Sequence, residues 1–157
     1  MKGNEKVIAA LNELLTLELT VINQYFLHSK MCEDWGYARL AARFRAVSRE
    51  EMDDAEEIID RILFLEGIPN MQRLGAVTIG ESVPEQLRLQ LEAERRALEL
   101  LANGITVSDE AGDSASREFF AARLQEEENH VNWLETQLNL LDRVGEANYL
   151  AQHIAAH

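Results

Sequence analysis

Apolar residues recur at steps of three and four along four long stretches of the chain, the spacing of one buried face of an α-helix. The first stretch, about 4–34, carries Leu11, Leu15, Glu18, Ile22 and Tyr25 on its stripe. Asn4 is placed to cap its start, with Glu5 in the first turn, and Trp35-Gly36 ends it. The second, about 39–66, carries Phe44, Val47, Glu51, Asp54, Ile58, Ile62 and Leu65, and stops at Gly67 and Pro69. The third, about 82–111, opens with Ser82, Pro84 and Glu85 in a capping-box order and carries Leu87, Leu91, Glu94, Leu98, Leu101 and Ile105. The fourth, about 113–144, carries Phe120, Leu124, Glu127, Val131, Leu134 and Leu138, and ends at Gly145. A short fifth helix, about 146–154, is too short to stand alone and must dock.

Between the second and third stretches, residues 68–81 show no helical period. Helices of about 30 residues are about 45 Å long, and fourteen nearly extended residues reach about 46 Å at most. The connection can therefore run the length of a bundle and set the second and third helices parallel. The fold class is all-α: a four-helix bundle with one long crossover and a short fifth C-terminal helix.

Each stripe is interrupted by an acid near its midpoint. Glu18 and Glu51 are 33 residues apart, and so are Glu94 and Glu127. Glu51 opens an E-x-x-D pair with Asp54, and Glu127 an E-x-x-H pair with His130. Midpoints of bundled helices share one height, so the six side chains can converge in one layer of the core. A single glutamate in an apolar stripe usually marks a helix less buried than its pattern suggests. Four at matched stations, two with a partner one turn away, are hard to explain so. Buried unpaired carboxylates cost several kcal/mol each, and metal cations remove that cost. One glutamate on each odd helix and a two-ligand motif on each even helix is the inward-facing pattern of di-iron and di-manganese carboxylate bundles. The donors suit Fe(II), Mn(II) or Zn(II). The expected site holds two metals bridged by Glu51 and Glu127, one bound also by Glu18 and Asp54, the other by Glu94 and His130. Glu50, Glu126 and Glu128 fall off the buried line and read as solvated. His28, His153 and His157 show no ligand spacing and read as ordinary, and Tyr25 reads as core packing near the metals.

Composition adds boundaries. A chain of 157 residues suffices for one domain with a real core. A net charge of −13 argues against nucleic acid and anionic membrane as partners and favours cations. The lone Cys32 forms no intrachain disulfide, which suits a reducing, cytoplasmic setting. The first residues lack a signal-peptide apolar core, and no stretch approaches the roughly 20 apolar residues of a membrane span.

Several segments together resemble the bacterioferritins: the opening MKG and KVI, INQYFLHSKM at 22–31, DWG at 34–36, RILFLEG-x-PN at 61–70, IGE at 79–81, WLETQL at 133–138 and NYL at 148–150. The resemblance covers essentially the whole chain. It implies a single ferritin-like di-iron domain over 1–157 and a hollow cage of about 24 subunits. Such a cage oxidises Fe(II) with O2 or peroxide as a ferroxidase and stores ferric mineral. It also implies that Glu18, Glu51, Glu94, Glu127 and His130 match the family's ferroxidase ligands. Met52 matches the methionine that each of two subunits gives to haem b at their shared two-fold interface. Electrons for iron release would come through that haem from a small ferredoxin. Two departures stand out. The family has histidine where this chain has Asp54, and some relatives have a histidine and an aspartate of an inner-surface iron site at Ala46 and Glu50. Asp54 keeps a second reading open: a haem-carrying structural subunit with an impaired ferroxidase centre, working in a mixed cage beside another chain.

Overall fold

A computed structural model describes residues 1–72 and 74–155. Four long helices, α1 (Glu5–Asp34), α2 (Ala38–Phe64), α3 (Val83–Glu110) and α4 (Ser114–Val144), precede a short α5 (Glu146–Ala151). The caps expected at Asn4 and Ser82 form, and Asp113 caps α4. The Asn4 side chain accepts from the Lys6 and Val7 amides, Ser82 from Glu85 and Asp113 from Ser116. Gly36, Gly112 and Gly145 end their helices with φ of 90°, 69° and 84°.

Three local expectations need correction. The capping box of α3 is displaced by one residue, because Glu85 Oε2 accepts from the Glu81 amide at 3.4 Å and not from that of Ser82. α2 ends at Phe64, ahead of Gly67. Glu66 takes the left-handed conformation at φ 62°, and the Gly67 amide donates back to Ile62 O at 2.9 Å, which closes a Schellman turn. Gly67 is required for closeness instead: a Cβ there would lie 2.7 Å from the Ile8 side chain. α5 is shorter than expected. It docks through Tyr149, whose hydroxyl donates to Gln137 Oε1 at 2.8 Å, and just beyond it His153 O accepts from the Arg39 amide at 2.9 Å. His157 lies outside the described residues.

The bundle directions follow from paired contacts. His28 and Cys32 of α1 meet Gln90 and Gln86 of α3 in reverse order, so these helices run antiparallel. Glu57 and Arg61 of α2 meet Arg123 and Ser116 of α4 in the same reversed way. With short turns joining α1 to α2 and α3 to α4, α2 and α3 run parallel, as the crossover argument requires. The crossover is fastened along one row of α1. Asn12 holds Ile68 O and the Asn70 amide, Thr20 the Gly75 amide, Gln24 the Thr78 carbonyl, and His28 the Gly80 amide. These side chains satisfy backbone groups that a helix-free segment would otherwise leave unpaired. Among the described residues no helix is long and apolar enough to cross a membrane.

Two apolar clusters fill the bundle. One gathers Tyr25, Phe44, Leu87 and Leu134, the other Leu11, Leu15, Ile58, Ile62, Leu101 and Phe120. The four mid-helix glutamates lie between them. Each fully buried leucine or isoleucine contributes about 2 kcal/mol, so the polar layer is carried by the apolar packing on both sides.

His28 is more than the ordinary residue its spacing suggests. It is fully buried, its Nε2 accepts from the Gly80 amide at 3.0 Å, and burial pushes its pKa down to about 4. The acceptor bond requires neutral imidazole. The folded protein therefore binds fewer protons at His28 than the unfolded chain, whose histidine titrates near 6.5. The resulting stability is complete above that value and is lost as pH falls through about 4. We expect acidification from pH 7 to 4 to cost about 3 kcal/mol through this residue. Denaturant unfolding of the native protein and of His28→Gln at both pH values checks it, and an equal pH difference in the two proteins would contradict the assignment.

Candidate metal centre

Glu18, Glu51, Glu94 and Glu127 are each buried to within 5% of complete exclusion from solvent. One comes from each long helix, and all sit where the stripe pattern turned them inward. His130, one turn after Glu127, points its Nδ1 into the layer. That nitrogen lies 3.2 Å from Glu51 Oε1, 3.3 Å from Glu94 Oε2 and 3.9 Å from Glu127 Oε1. Glu18 Oε2, both Glu51 oxygens and Glu127 Oε1 are buried with no hydrogen-bond donor. Buried acceptors without donors are costly, and a cation is what this donor set fits.

The donor atoms fall into two groups. Glu51, Glu94, Glu127 and His130 form one, and Glu18, Glu51 and Asp54 the other; within each the atoms lie within 4.8 Å of one another. Glu51 belongs to both groups. All six expected residues are thus brought together.

The titration behaviour follows from crowding. Burial, then the charge of Glu51, holds the Glu18 carboxyl well above its usual range. Burial and Glu51 also raise Glu94 to about 7 and Asp54 to about 7. Burial alone would lower His130, but the carboxylates of Glu51 and Glu94 close beside it raise it to about 10. The imidazolium is the cation that the carboxylates hold in the metal-free protein.

Around this layer the finer expectations fare differently. Glu126 and Glu128 are exposed, as read. Glu50 is also exposed but is no bystander, since its Oε2 lies 3.5 Å from His130 Nε2. An open pocket of about 370 Å³ between α2 and α4, lined by Glu50, Asp53, Asp54, Glu126, Asn129 and His130, leads from the surface to the layer. A helical projection alone shows Glu50 and Glu126 as solvated, because the pocket exists only once α2 and α4 face each other. Tyr25 packs edge-on against Phe44 at 5.9 Å, and its phenol is raised by burial and then by Glu94 and Glu51, so it is a core residue beside the layer. Met52 stands 46% exposed on the outer face of α2. Arg123, on α4, has no place in the stripe pattern, yet its charge acts on Asp54.

Comparison with known proteins agrees with this architecture. Residues 8–144 match the family described as the ferritin-like domain. The chain is 48% identical over 155 residues to the bacterioferritin of Mycobacterium bovis, covering 99% of this chain and 98% of that protein. It is 46% identical over 155 residues to that of Mycobacterium leprae, with the same coverage. It is 47% identical over 151 residues to that of Streptomyces coelicolor, covering 96% and 90%.

Proposed function

The chain belongs to the bacterioferritin family, a family of iron-storage proteins, and we propose that it oxidises Fe(II) at the mid-bundle carboxylate layer and stores the ferric product within a cage of its own copies. The observation that carries the reading is the set of donorless carboxylate oxygens beside His130 in an otherwise apolar core. Two Fe(II) ions are the substrate, and each gives one electron to O2 or peroxide. Glu18 and Asp54 would hold one ion and Glu94, Glu127 and His130 the other, with Glu51 shared between them. The protein's part is to present deprotonated ligands at fixed positions. His130 must give up its proton to bind metal, and the pocket bounded by Glu50 and Asp53 offers a path for ions and protons.

The cage reading draws on the family and on exposed apolar side chains, among them Phe26 on α1, Leu63 and Phe64 on α2, and Met71 and Leu74 in the crossover. Exposed large apolar side chains are suited to subunit contacts. Haem b belongs to the same proposal, and the 46% exposure of Met52 leaves its thioether open to a group shared between two subunits. Electron delivery by a small ferredoxin, the 24-subunit count and a cytoplasmic location belong to the same proposal.

The test is stopped-flow oxidation of Fe(II) by the cage made of this chain alone. A fast phase that saturates at two Fe(II) per subunit supports the reading. Only slow, unsaturable oxidation would favour the alternative of a haem-bearing structural subunit in a mixed cage. Asp54 governs which holds. Aspartate is shorter than histidine and adds a charge, so Asp54→His should change the fast-phase rate by about tenfold. An identical rate would show that Asp54 is not a ligand. Replacing Met52 with leucine should remove the haem absorption band and leave the fast phase unchanged.

A further inference from the structure

Asp54 gives the layer a fifth carboxylate, so two divalent ions would leave one negative charge over. A cation stands beside that end of the layer. Arg123 lies on α4, one turn before Glu127, and its side chain is only 11% exposed. Its guanidinium stacks 3.6 Å over the Phe119 ring, donates to Phe119 O at 3.3 Å and pairs with Glu57, which sits one turn from Asp54 on α2. The pairing is lopsided: the arginine side chain is mostly buried and that of Glu57 is 63% exposed. An exposed partner returns little, while burying the guanidinium is costly, and its Nε is buried with no acceptor at all. A helix-to-helix tie does not explain that arrangement. A second charge to answer does.

We propose that Arg123 is a positioning residue for the Asp54 side of the metal layer, its guanidinium supplying the positive charge that balances the fifth carboxylate when two divalent ions are bound. The inference rests on the dinuclear reading given above. It explains how a ligand set with one acid too many keeps both positions, and it ties two residues that are far apart in sequence into one functional pair. Glu57 then serves to hold the guanidinium and is not itself the reason for it.

Titration of the metal-free cage with Zn(II) by calorimetry, and with Co(II) by its visible absorption, tests this. The unaltered protein should take two equivalents. Arg123→Leu should weaken one of them by roughly tenfold or more and leave the other in place, and Arg123→Lys should recover most of the loss. Glu57→Gln should bind no more weakly than the unaltered protein, because the guanidinium is then freer to face Asp54. In an Asp54→His background, Arg123→Leu should cause no loss. Equal loss in both backgrounds, matched by Glu57→Gln, would overturn the inference in favour of a plain structural tie. Two unchanged equivalents in Arg123→Leu would overturn it as well. Failure of the unaltered protein to bind metal would instead overturn the dinuclear reading, and this inference with it.

Discussion

Changing Glu51 to glutamine is expected to slow the fast phase of Fe(II) oxidation by about a hundredfold or more. Glu51 is the one side chain common to both donor groups. It is 1% exposed, has no hydrogen-bond donor at either oxygen, and lies 3.2 Å from the His130 nitrogen that faces the layer. Glutamine keeps the volume and removes the charge, so packing against the flanking apolar clusters should survive while neither ion keeps its shared ligand. Two metals that no longer share a carboxylate lose the fixed spacing on which a concerted two-electron oxidation depends. The matched control is Glu128→Gln, on α4 and exposed, which should oxidise iron at the unaltered rate. Stopped-flow kinetics of both variants, with circular dichroism to confirm that helix content is unchanged, gives the comparison. A fast phase in Glu51→Gln within a few-fold of the original would remove Glu51 from the site.

The second large effect is on stability. In the metal-free protein four buried carboxylates and an imidazolium share one layer, and each uncompensated buried charge costs several kcal/mol. Burial and mutual repulsion raise the carboxyl groups of Glu18, Glu94 and Asp54, which favours their protonated forms in the metal-free layer. Divalent metal binds the folded state and not the unfolded one, so at about 100 times its dissociation constant each site adds about 2.7 kcal/mol. Two sites should add about 5 kcal/mol, which for a domain of this size raises the apparent Tm by roughly 10 °C or more. The measurement is a thermal scan at fixed rate, with and without Co(II), at pH 7. Glu51→Gln should show little of the rise. A rise of the same size in that variant would mean that metal stabilises the fold from somewhere else.

How far the sequence reaches depends on whether a property is local. The helices, their caps and the inward acids were legible because each follows from one helix's own period, and Glu18, Glu51, Glu94 and Glu127 lie where that period puts them. The crossover was legible from its length alone. What it fastens to was not. His28 looks ordinary in its own helix, and its role comes from Gly80, 52 residues away. The end of α2 was misplaced by two residues because glycine is the usual left-handed terminator, whereas here Glu66 accepts that conformation and Gly67 answers to Ile8. Arg123 and Glu50 were invisible for the same reason as the pocket beside them: their meaning arises only where α2 and α4 meet. The signal that points to Arg123 is charge counting, since on the proposed dinuclear site five acids would outweigh two divalent ions by one charge.

The central claim is that this layer of acids is tolerated in an apolar core because two iron ions are meant to occupy it. Crystals soaked anaerobically in ferrous salt, with anomalous data collected on both sides of the iron absorption edge, test it most directly. Two iron peaks in every subunit are predicted, one among Glu18, Glu51 and Asp54 and one among Glu51, Glu94, Glu127 and His130. No iron density at saturating Fe(II), with these side chains turned away from one another, would contradict it.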